Sequence, residues 1–224
     1  MNKRAAIPAA PGQSLTDLAY AHLEELIVTL KLAPGTVVSE GELSELTGIG
    51  RTPIREALQR LARERLVSIR PRRGIVVSEI NVGSQLRLLE VRRELDRLIA
   101  RTAARRATGQ EREQFREIAK RFEKSALHDA DVAFMRTDRE FNSLCSAASH
   151  NDFAQSAMGL MHSLSRRFWY IHYKQAADMP LTAKLHADIA RAIADGDEDR
   201  AARASDRLLD EIEKFTRETV SGDV

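Results

Sequence analysis

Eight arginines lie close together between residues 51 and 73 of the sequence. Two glutamates accompany them, so this stretch carries a net charge of +6, whereas the whole chain of 224 residues carries only +2. From residue 81 onward, 24 basic side chains balance 24 acidic ones. A cationic region confined to so short a stretch favours a docking surface for a polyanion over general solubilisation. A solvated helix face is the alternative interpretation of the charge alone.

The spacing of neighbouring apolar residues predicts a helix that positions these arginines. Its apolar face consists of Ile54, Ala57, Leu58 and Leu61. The opposite face presents Arg51, Arg55, Gln59 and Arg63. Guanidinium forks can bind guanine edges through two hydrogen bonds, and Thr52 at the helix N-terminus can cap the helix or hold a phosphate. This pattern indicates contacts with duplex DNA.

The flanking segments complete a winged helix-turn-helix. A first helix is predicted to open at Ser14, with Asp17 as its capping partner, and a short second helix spans about 39–47 before a glycine turn at 48–50. Beyond the arginine-bearing helix, β-prone runs at 66–69 and 74–77 predict a hairpin with a basic tip, which is a wing. A plain helical hairpin is the alternative, and it does not explain why positive charge peaks on both the helix and the tip.

The remainder of the chain has a purely helical pattern. Thr108 and Glu111 form a predicted capping box for one of these helices. The pattern predicts six helices in an antiparallel bundle, at about 82–107, 109–128, 131–149, 152–175, 180–195 and 197–219. The predicted fold class is therefore mainly α, with an N-terminal winged helix-turn-helix followed by an all-α bundle. The predicted divisions are a flexible tail over 1–13, a DNA-binding domain over 14–79 and a helical domain over 80–224.

Composition narrows the class of protein further. Aromatic residues make up 5% of the chain, which argues against an all-β fold. The single cysteine, Cys145, allows no disulfide within the chain, and no run approaches the about 18 apolar residues of a membrane helix. The first eleven residues lack the apolar segment of a signal peptide. We therefore expect a cytoplasmic protein that does not associate with membranes.

Several longer motifs resemble a known family. The winged helix-turn-helix closely resembles that of the GntR family of bacterial transcription regulators, in the segments 32–35, 43–48, 51–58, 66–67 and 73–74. The helical half is similar to the effector-binding domain of that family's FadR branch, known as the FCD domain, in the segments 90–92, 95–96, 107–108, 138–142, 185–186 and 192–197. Together the two resemblances cover about residues 15 to 220. The short helical half looks more like the six-helix, VanR-type version than the seven-helix one.

The resemblance implies a homodimer that binds a palindromic operator and changes its DNA affinity when a small organic acid or related metabolite, expected to be a carboxylate, enters the helical domain. Repression is the commoner mode in the family, and activation stays open. The resemblance assigns DNA contacts to Arg51, Thr52 and Arg55, and minor-groove contacts to the wing tip at Arg72, Arg73 and Gly74. Gly41 stands where many members carry a DNA-contacting arginine, and Gly50 replaces a common serine or threonine. Both departures remove contacts and leave the operator sequence open.

The resemblance also points to a ligand site in the helical domain. Many members bind a divalent ion such as zinc or nickel there through an aspartate and three histidines. The matching residues of this chain are Asp138, Asn142, His186 and Leu208. Leucine cannot ligate a metal, so two interpretations stay open. The site binds a metal, or it holds none and Asp138, Asn142 and His186 hydrogen-bond each other or an effector. The arginine expected to hold an anionic effector is Arg92, which matches the family's pocket arginine, with Arg166 or Arg167 as a second contact.

Two other functions compete with an effector-responsive regulator. In the first, the sensor half has decayed and serves only for dimerisation. In the second, the residues Asp138, Asn142 and His186 form the centre of a metal-dependent enzyme. The sequence supplies no nucleophile, second metal site or cofactor loop for such an enzyme, so we predict a protein that is not an enzyme.

Overall fold

The computed structural model describes residues 14–70, 72–126, 131–176 and 178–221, so the predicted tail at 1–13 lies outside the described residues. Within these ranges the chain forms ten helices and three short strands. The chain divides into two compact units, of which the first comprises residues 1–81 and 160–171 and the second comprises 82–159 and 172–224. The segment 160–171, which the sequence analysis assigned to the helical domain, therefore groups with the first unit.

The N-terminal part of the first unit contains three helices. Ser14 caps the first helix by accepting a hydrogen bond from the backbone N–H of Asp17 at 3.0 Å, as predicted. These helices are α1 (Leu15–Val28), α2 (Glu40–Thr47) and α3 (Arg51–Arg63). One apolar core joins all three to the sheet, and Leu164 from the later segment of this unit packs against that core.

The sheet of the first unit has three strands rather than the two predicted from sequence. Its strands are β1 (Val37–Val38), β2 (Val67–Arg70) and β3 (Gly74–Val77). They lie in the order β1-β3-β2, and both pairings are antiparallel. The hairpin of β2 and β3 is the predicted wing. The sequence analysis missed β1 because two valines are too short a run to show alternation.

The second unit is built from helices. Thr108 and Glu111 form the predicted capping box, with the Thr108 N–H donating to a Glu111 carboxylate oxygen at 2.7 Å. The helices after residue 81 are α4 (Val82–Arg106), α5 (Gly109–Ala126), α6 (Asp131–Ala148), α7 (Asp152–Gly159), α8 (His162–Ala176), α9 (Met179–Asp195) and α10 (Glu198–Ser221). Within this unit, α4 packs along α10 and α5 packs along α9.

The predicted number of helices after residue 81 was wrong, because the described residues form seven helices rather than six. The single helix expected over 152–175 is broken into α7, which ends at Gly159, and α8, which begins at His162. Glycine lowers helix propensity, so a break of this kind needs little free energy. The periodicity on either side of the break is nevertheless helical, which is why the sequence suggested one continuous element.

Candidate DNA-recognition surface and buried polar cluster

The turn between α2 and α3 is fixed by local hydrogen bonds. Ser39 and Glu42 form a capping box at the start of α2, with the Ser39 N–H donating to Glu42 at 2.7 Å. At the other end, Gly48 adopts a left-handed conformation with φ of 72°, which lets its N–H bond the carbonyl of Ser44 at 2.9 Å. The chain therefore reverses within three residues and presents α3 at a defined angle to α2.

Helix α3 has one buried face and one exposed face. The buried face is the one predicted, formed by Ile54, Ala57, Leu58 and Leu61. The exposed residues include Arg51, Thr52, Arg55 and Gln59. Thr52 does not cap the helix, because the N-cap of α3 is Gly50, two residues earlier, and no side-chain hydrogen bond forms there. The first N–H groups of α3 consequently have no side-chain cap, which is the arrangement that suits a phosphate.

Arg55 is held by a carboxylate of the neighbouring helix. Its Nε and Nη2 donate to the two carboxylate oxygens of Glu40 at 2.8 and 2.7 Å. The hydrogen bond from Arg55, together with the positive charges of Arg55 and Arg51, lowers the pKa of Glu40. A Cβ placed on Gly41 would lie 3.6 Å from Nη2 of Arg51, so that guanidinium lies beside the glycine. Sequence reasoning missed Glu40, which follows the α2 N-cap and looked like an ordinary first-turn acid.

The wing presents two more arginines. Arg72 and Arg73 are exposed between β2 and β3, and Arg72 has a positive φ of 61°. Gly74 has a φ of 85°, and a Cβ there would lie 3.0 Å from the carbonyl oxygen of Val38. Gly74 is thus required by the close approach of β1 as well as by its backbone conformation. We call the following residues the recognition surface: Arg51, Thr52, Arg55, Gln59, Arg72 and Arg73.

Three of the predicted effector residues meet in the second unit. Asn142 donates its amide N–H to Asp138 Oδ1 at 2.9 Å, and His186 Nε2 lies 3.2 Å from the same oxygen. The other ring nitrogen, Nδ1, lies 2.8 Å from the carbonyl oxygen of Thr182, which can only accept, so Nδ1 is the donor in that contact. The imidazole is 5% exposed and stands among three phenylalanine rings, at Phe122, Phe134 and Phe141.

Arg92 belongs to the same unit and is 7% exposed. Its Nη2 and Nε lie 2.9 and 3.1 Å from Asp96 Oδ2, so the guanidinium is paired within α4. Burial raises the pKa of the Cys145 thiol, and the charges of Asp96 and Asp138 add to this effect. Cys145 is therefore a buried thiol that experiences the negative charge of both carboxylates. We call Arg92, Asp96, Asp138, Asn142 and His186 the polar cluster.

The donor atoms of this region do not fit a zinc or nickel centre. Leu208 is buried and has no donor atom, and Asn142 directs its N–H, not its carbonyl oxygen, at Asp138. This leaves one carboxylate and one imidazole, whereas such metals take three or four protein ligands. Among the residues that the structure describes, no group of three His, Cys, Asp or Glu side chains is arranged to hold a metal ion.

Arg166, a further predicted effector residue, lies in the first unit. Its guanidinium pairs with Glu24 at 2.5 Å and with Glu25 at 3.4 Å, both on α1. The neighbouring Arg167 is fully buried and donates to the carbonyl of Ser78 at 2.6 Å. Burial lowers the pKa of Arg167. These contacts fasten the first part of α8 to the DNA-binding unit, a packing that the helical periodicity of α8 does not encode.

The described residues contain no helix long and apolar enough to cross a membrane. A helix-turn-helix with an exposed cationic helix and a basic wing, followed by an all-helical region, defines a DNA-binding transcription regulator. The chain belongs to the gntR family of bacterial regulatory proteins, because residues 15–77 match that family's sequence profile and residues 87–211 match the profile of the FCD domain.

Individual relatives agree with this assignment. The chain is 27% identical over 212 residues to the HTH-type transcriptional repressor RspR of Escherichia coli K12, covering 93% of this chain and 91% of the relative. It is 27% identical over 177 residues to the Nta operon transcriptional regulator of Aminobacter aminovorans, covering 79% and 82% of the two chains. These relatives span both halves of the protein.

Solved structures show the same fold. The structure of E. coli McbR/YncC superposes with a TM-score of 0.79 at 17% identity, covering 93% of this chain and 99% of that one. A GntR regulator from Rhodococcus sp. RHA1 gives a TM-score of 0.68 at 17% identity, covering 92% and 99%. The predicted fold class, a winged helix-turn-helix followed by a helical bundle, is confirmed.

Proposed function

We propose that this regulator is a repressor that binds a palindromic operator as a homodimer in the cytoplasm and changes its DNA affinity when a small carboxylate binds in the helical unit. The observation that carries the DNA-binding part is the recognition surface, where exposed arginines on α3 and on the wing belong to one compact unit. Helix-turn-helix proteins usually bind symmetric half-sites as dimers, which supports a homodimer.

Each member of the recognition surface has a proposed role. Arg51, Arg55 and Gln59 follow the exposed face of α3 and would reach base edges in the major groove. Thr52, in the uncapped first turn, would bind a phosphate. Arg72 and Arg73 would enter the minor groove, and Gly74 supports them by letting β3 pass close to β1.

The polar cluster is the proposed effector site. Arg92 and His186 are buried, and Asp96, Asp138 and Asn142 are partly buried. Burying polar and charged groups in a helical core is costly unless they are paired, so this set calls for an explanation. The Nε and Nη2 of Arg92 contact Asp96, so a bound carboxylate would compete with Asp96 for that guanidinium. Asn142 and His186, both directed at Asp138, supply further polar contacts for the same ligand.

The proposed effector site works without a metal and without catalysis. Its donor set is too small for zinc or nickel, as described above. The thiol of Cys145 is buried and its raised pKa keeps it protonated, so it is not an activated nucleophile. The arrangement of the cluster supports ligand binding better than turnover, and the metal-dependent enzyme considered from the sequence is not our proposal.

A second candidate function is a helical unit that serves only for dimerisation. The observation that favours it is the internal pairing of the polar cluster. The Arg92 guanidinium is paired with Asp96, Asn142 donates to Asp138, and His186 Nε2 lies 3.2 Å from Asp138. The substitution of a ligand position by Leu208 points the same way. In this case the buried groups satisfy each other and no small molecule is needed.

The two candidates are separated by ligand screening of the full chain. A panel of carboxylates and sugar acids is tested for an increase in the melting temperature, and hits are tested for a change in operator affinity by fluorescence anisotropy, with the operator obtained by selection from random duplexes. A ligand that binds the folded protein at 100 times its Kd stabilises it by about 2.7 kcal/mol. An Arg92→Met variant should lose this shift. Absence of any shift across the panel, with operator binding intact, would support the dimerisation-only candidate.

A further inference from the structure

Glu40 is placed to control how Arg55 meets DNA. The residue opens α2, whereas Arg55 lies one turn into α3, so their contact crosses the helix-turn-helix. Both carboxylate oxygens accept a hydrogen bond from the guanidinium, at 2.8 and 2.7 Å. A two-point contact of this kind fixes the plane of the guanidinium as well as its position.

The contact leaves a defined part of the guanidinium free for a ligand. Glu40 occupies the edge formed by Nε and Nη2, so Nη1 and the remaining Nη2 hydrogen form the outer edge. Two parallel N–H groups on that edge match the O6 and N7 acceptors of guanine. The arginine side chain is 62% exposed, so a base can approach it. Fixing a flexible side chain before binding also reduces the conformational entropy lost on binding.

The charge of Glu40 acts in a second way. Its pKa is lowered by the hydrogen bond with Arg55 and by the charges of Arg55 and Arg51, so the carboxylate stays ionised at neutral pH. A fixed negative charge within a cationic surface repels DNA phosphates, and phosphate contacts supply most non-specific affinity. The same carboxylate therefore weakens binding to any sequence while it orients the group that reads one sequence.

We propose that Glu40 is a positioning and specificity-determining residue, which holds Arg55 in its base-reading orientation and keeps it from binding phosphate indiscriminately. This inference rests on the proposed function, in which Arg55 contacts operator bases. It predicts effects of opposite sign on two DNA ligands. A residue with a merely structural role in α2 would not produce that result.

The test measures binding of the full chain to its selected operator and to a scrambled duplex of the same length, at two salt concentrations. In Glu40→Gln we expect operator binding to weaken about fivefold and scrambled-duplex binding to strengthen about twofold. The ratio of the two affinities should then fall about tenfold. In Glu40→Asp the charge remains but the shorter side chain loses the two-point contact, so the ratio should fall without stronger scrambled-duplex binding.

Glu45→Gln is the matched control. Glu45 is exposed on the same helix, and within the described part of the chain its carboxylate forms no hydrogen bond or ion pair. Its loss removes the same charge, so it should change both affinities in parallel and leave their ratio unaltered. If Glu40→Gln behaves like Glu45→Gln, the proposed role of Glu40 is wrong.

Arg55→Ala separates this inference from the proposed function on which it rests. If Arg55→Ala leaves operator binding unchanged, the assignment of α3 to base reading fails, and the role of Glu40 fails with it. If Arg55→Ala weakens operator binding while Glu40→Gln leaves the affinity ratio unaltered, only the role of Glu40 fails. Melting temperatures of all variants should match the parent within a few degrees, which shows that each affinity is that of folded protein.

Discussion

The recognition surface and the polar cluster use similar residue types in opposite environments. Arg51, Arg72 and Arg73 are exposed and, within the described residues, form no ion pair. Arg92 is buried and paired with Asp96, and His186 is buried against Asp138. Water solvates an unpaired charge at little cost, whereas an unpaired buried charge is strongly destabilising.

The two regions also differ in how many internal contacts a ligand has to replace. The recognition surface can bind a polyanion without giving up internal contacts, except at Arg55, which is held by Glu40. If the polar cluster binds an effector, as proposed above, the ligand has to replace internal contacts such as the Arg92–Asp96 pair. Such an exchange would give the free and the bound protein different contacts at the cluster, which is what a regulatory site requires.

The largest expected effect is a loss of stability on substitution of Asp138 in the polar cluster. Asp138→Ala removes the carboxylate that accepts a hydrogen bond from Asn142 and lies 3.2 Å from His186 Nε2. Each buried polar group left without a partner costs about 1–3 kcal/mol, so the free energy of unfolding should fall by about 2–5 kcal/mol. The free energy of unfolding is measured by urea titration monitored by circular dichroism.

Glu140→Ala on the same helix is the control for that variant. Glu140 pairs with Arg121 at 2.6 Å at the protein surface, where both side chains are nearly half exposed. Exposed ion pairs contribute about 0–1 kcal/mol, so this substitution should have little effect. An Asp138→Ala variant as stable as Glu140→Ala would contradict the description of the cluster as mutually dependent.

Arg55→Ala tests the contribution of the recognition surface to DNA binding. Loss of a two-point guanine contact should weaken operator binding by about 5–150-fold, with the thermal stability of the protein unchanged because Arg55 lies at the surface. Fluorescence anisotropy with operator and scrambled duplexes measures the affinity. Arg116→Ala, which alters an exposed arginine of α5, should bind as tightly as the parent. Parallel losses on both duplexes would argue for a phosphate contact instead.

A smaller effect is expected at the wing, where Gly74 either contacts DNA directly or stabilises the fold of the hairpin. Gly74→Ala forces a residue with a side chain into a φ of 85° and brings its Cβ to 3.0 Å from the Val38 carbonyl oxygen. We expect a loss of about 1–2 kcal/mol in the free energy of unfolding, with weaker DNA binding as a consequence. Gly109→Ala, where a Cβ meets nothing within 4 Å, is the control and should be neutral or stabilising. A Gly74→Ala variant of unchanged stability that binds DNA poorly would indicate a direct contact instead.

Much of the fold could be predicted because its signals are local. The capping residues Ser14 and Thr108 and the 3–1–3 spacing of apolar residues in α3 depend only on neighbours in sequence. The arginines at 51, 55, 72 and 73 were found for the same reason, since charge and periodicity can be read without knowing the packing. The break between α7 and α8 was missed because a single glycine inside a helical pattern is often tolerated.

Contacts between residues distant in sequence could not be predicted from these signals. Glu40 lies 15 residues before Arg55, and Glu24 lies 142 residues before Arg166. Nothing in the local pattern distinguishes Glu40 from Glu45 or assigns the start of α8 to the DNA-binding unit.

The sequence by itself determined the class of this protein, because helix-turn-helix geometry, cationic charge and helical periodicity are local properties of the chain. The tertiary structure decided how its polar groups are used. It paired Arg55 with Glu40 at the surface and brought Asp138 and Asn142, both partly buried, together with the buried His186. The physical reason is that the state of a charge depends on its surroundings, and only the folded chain brings those surroundings together.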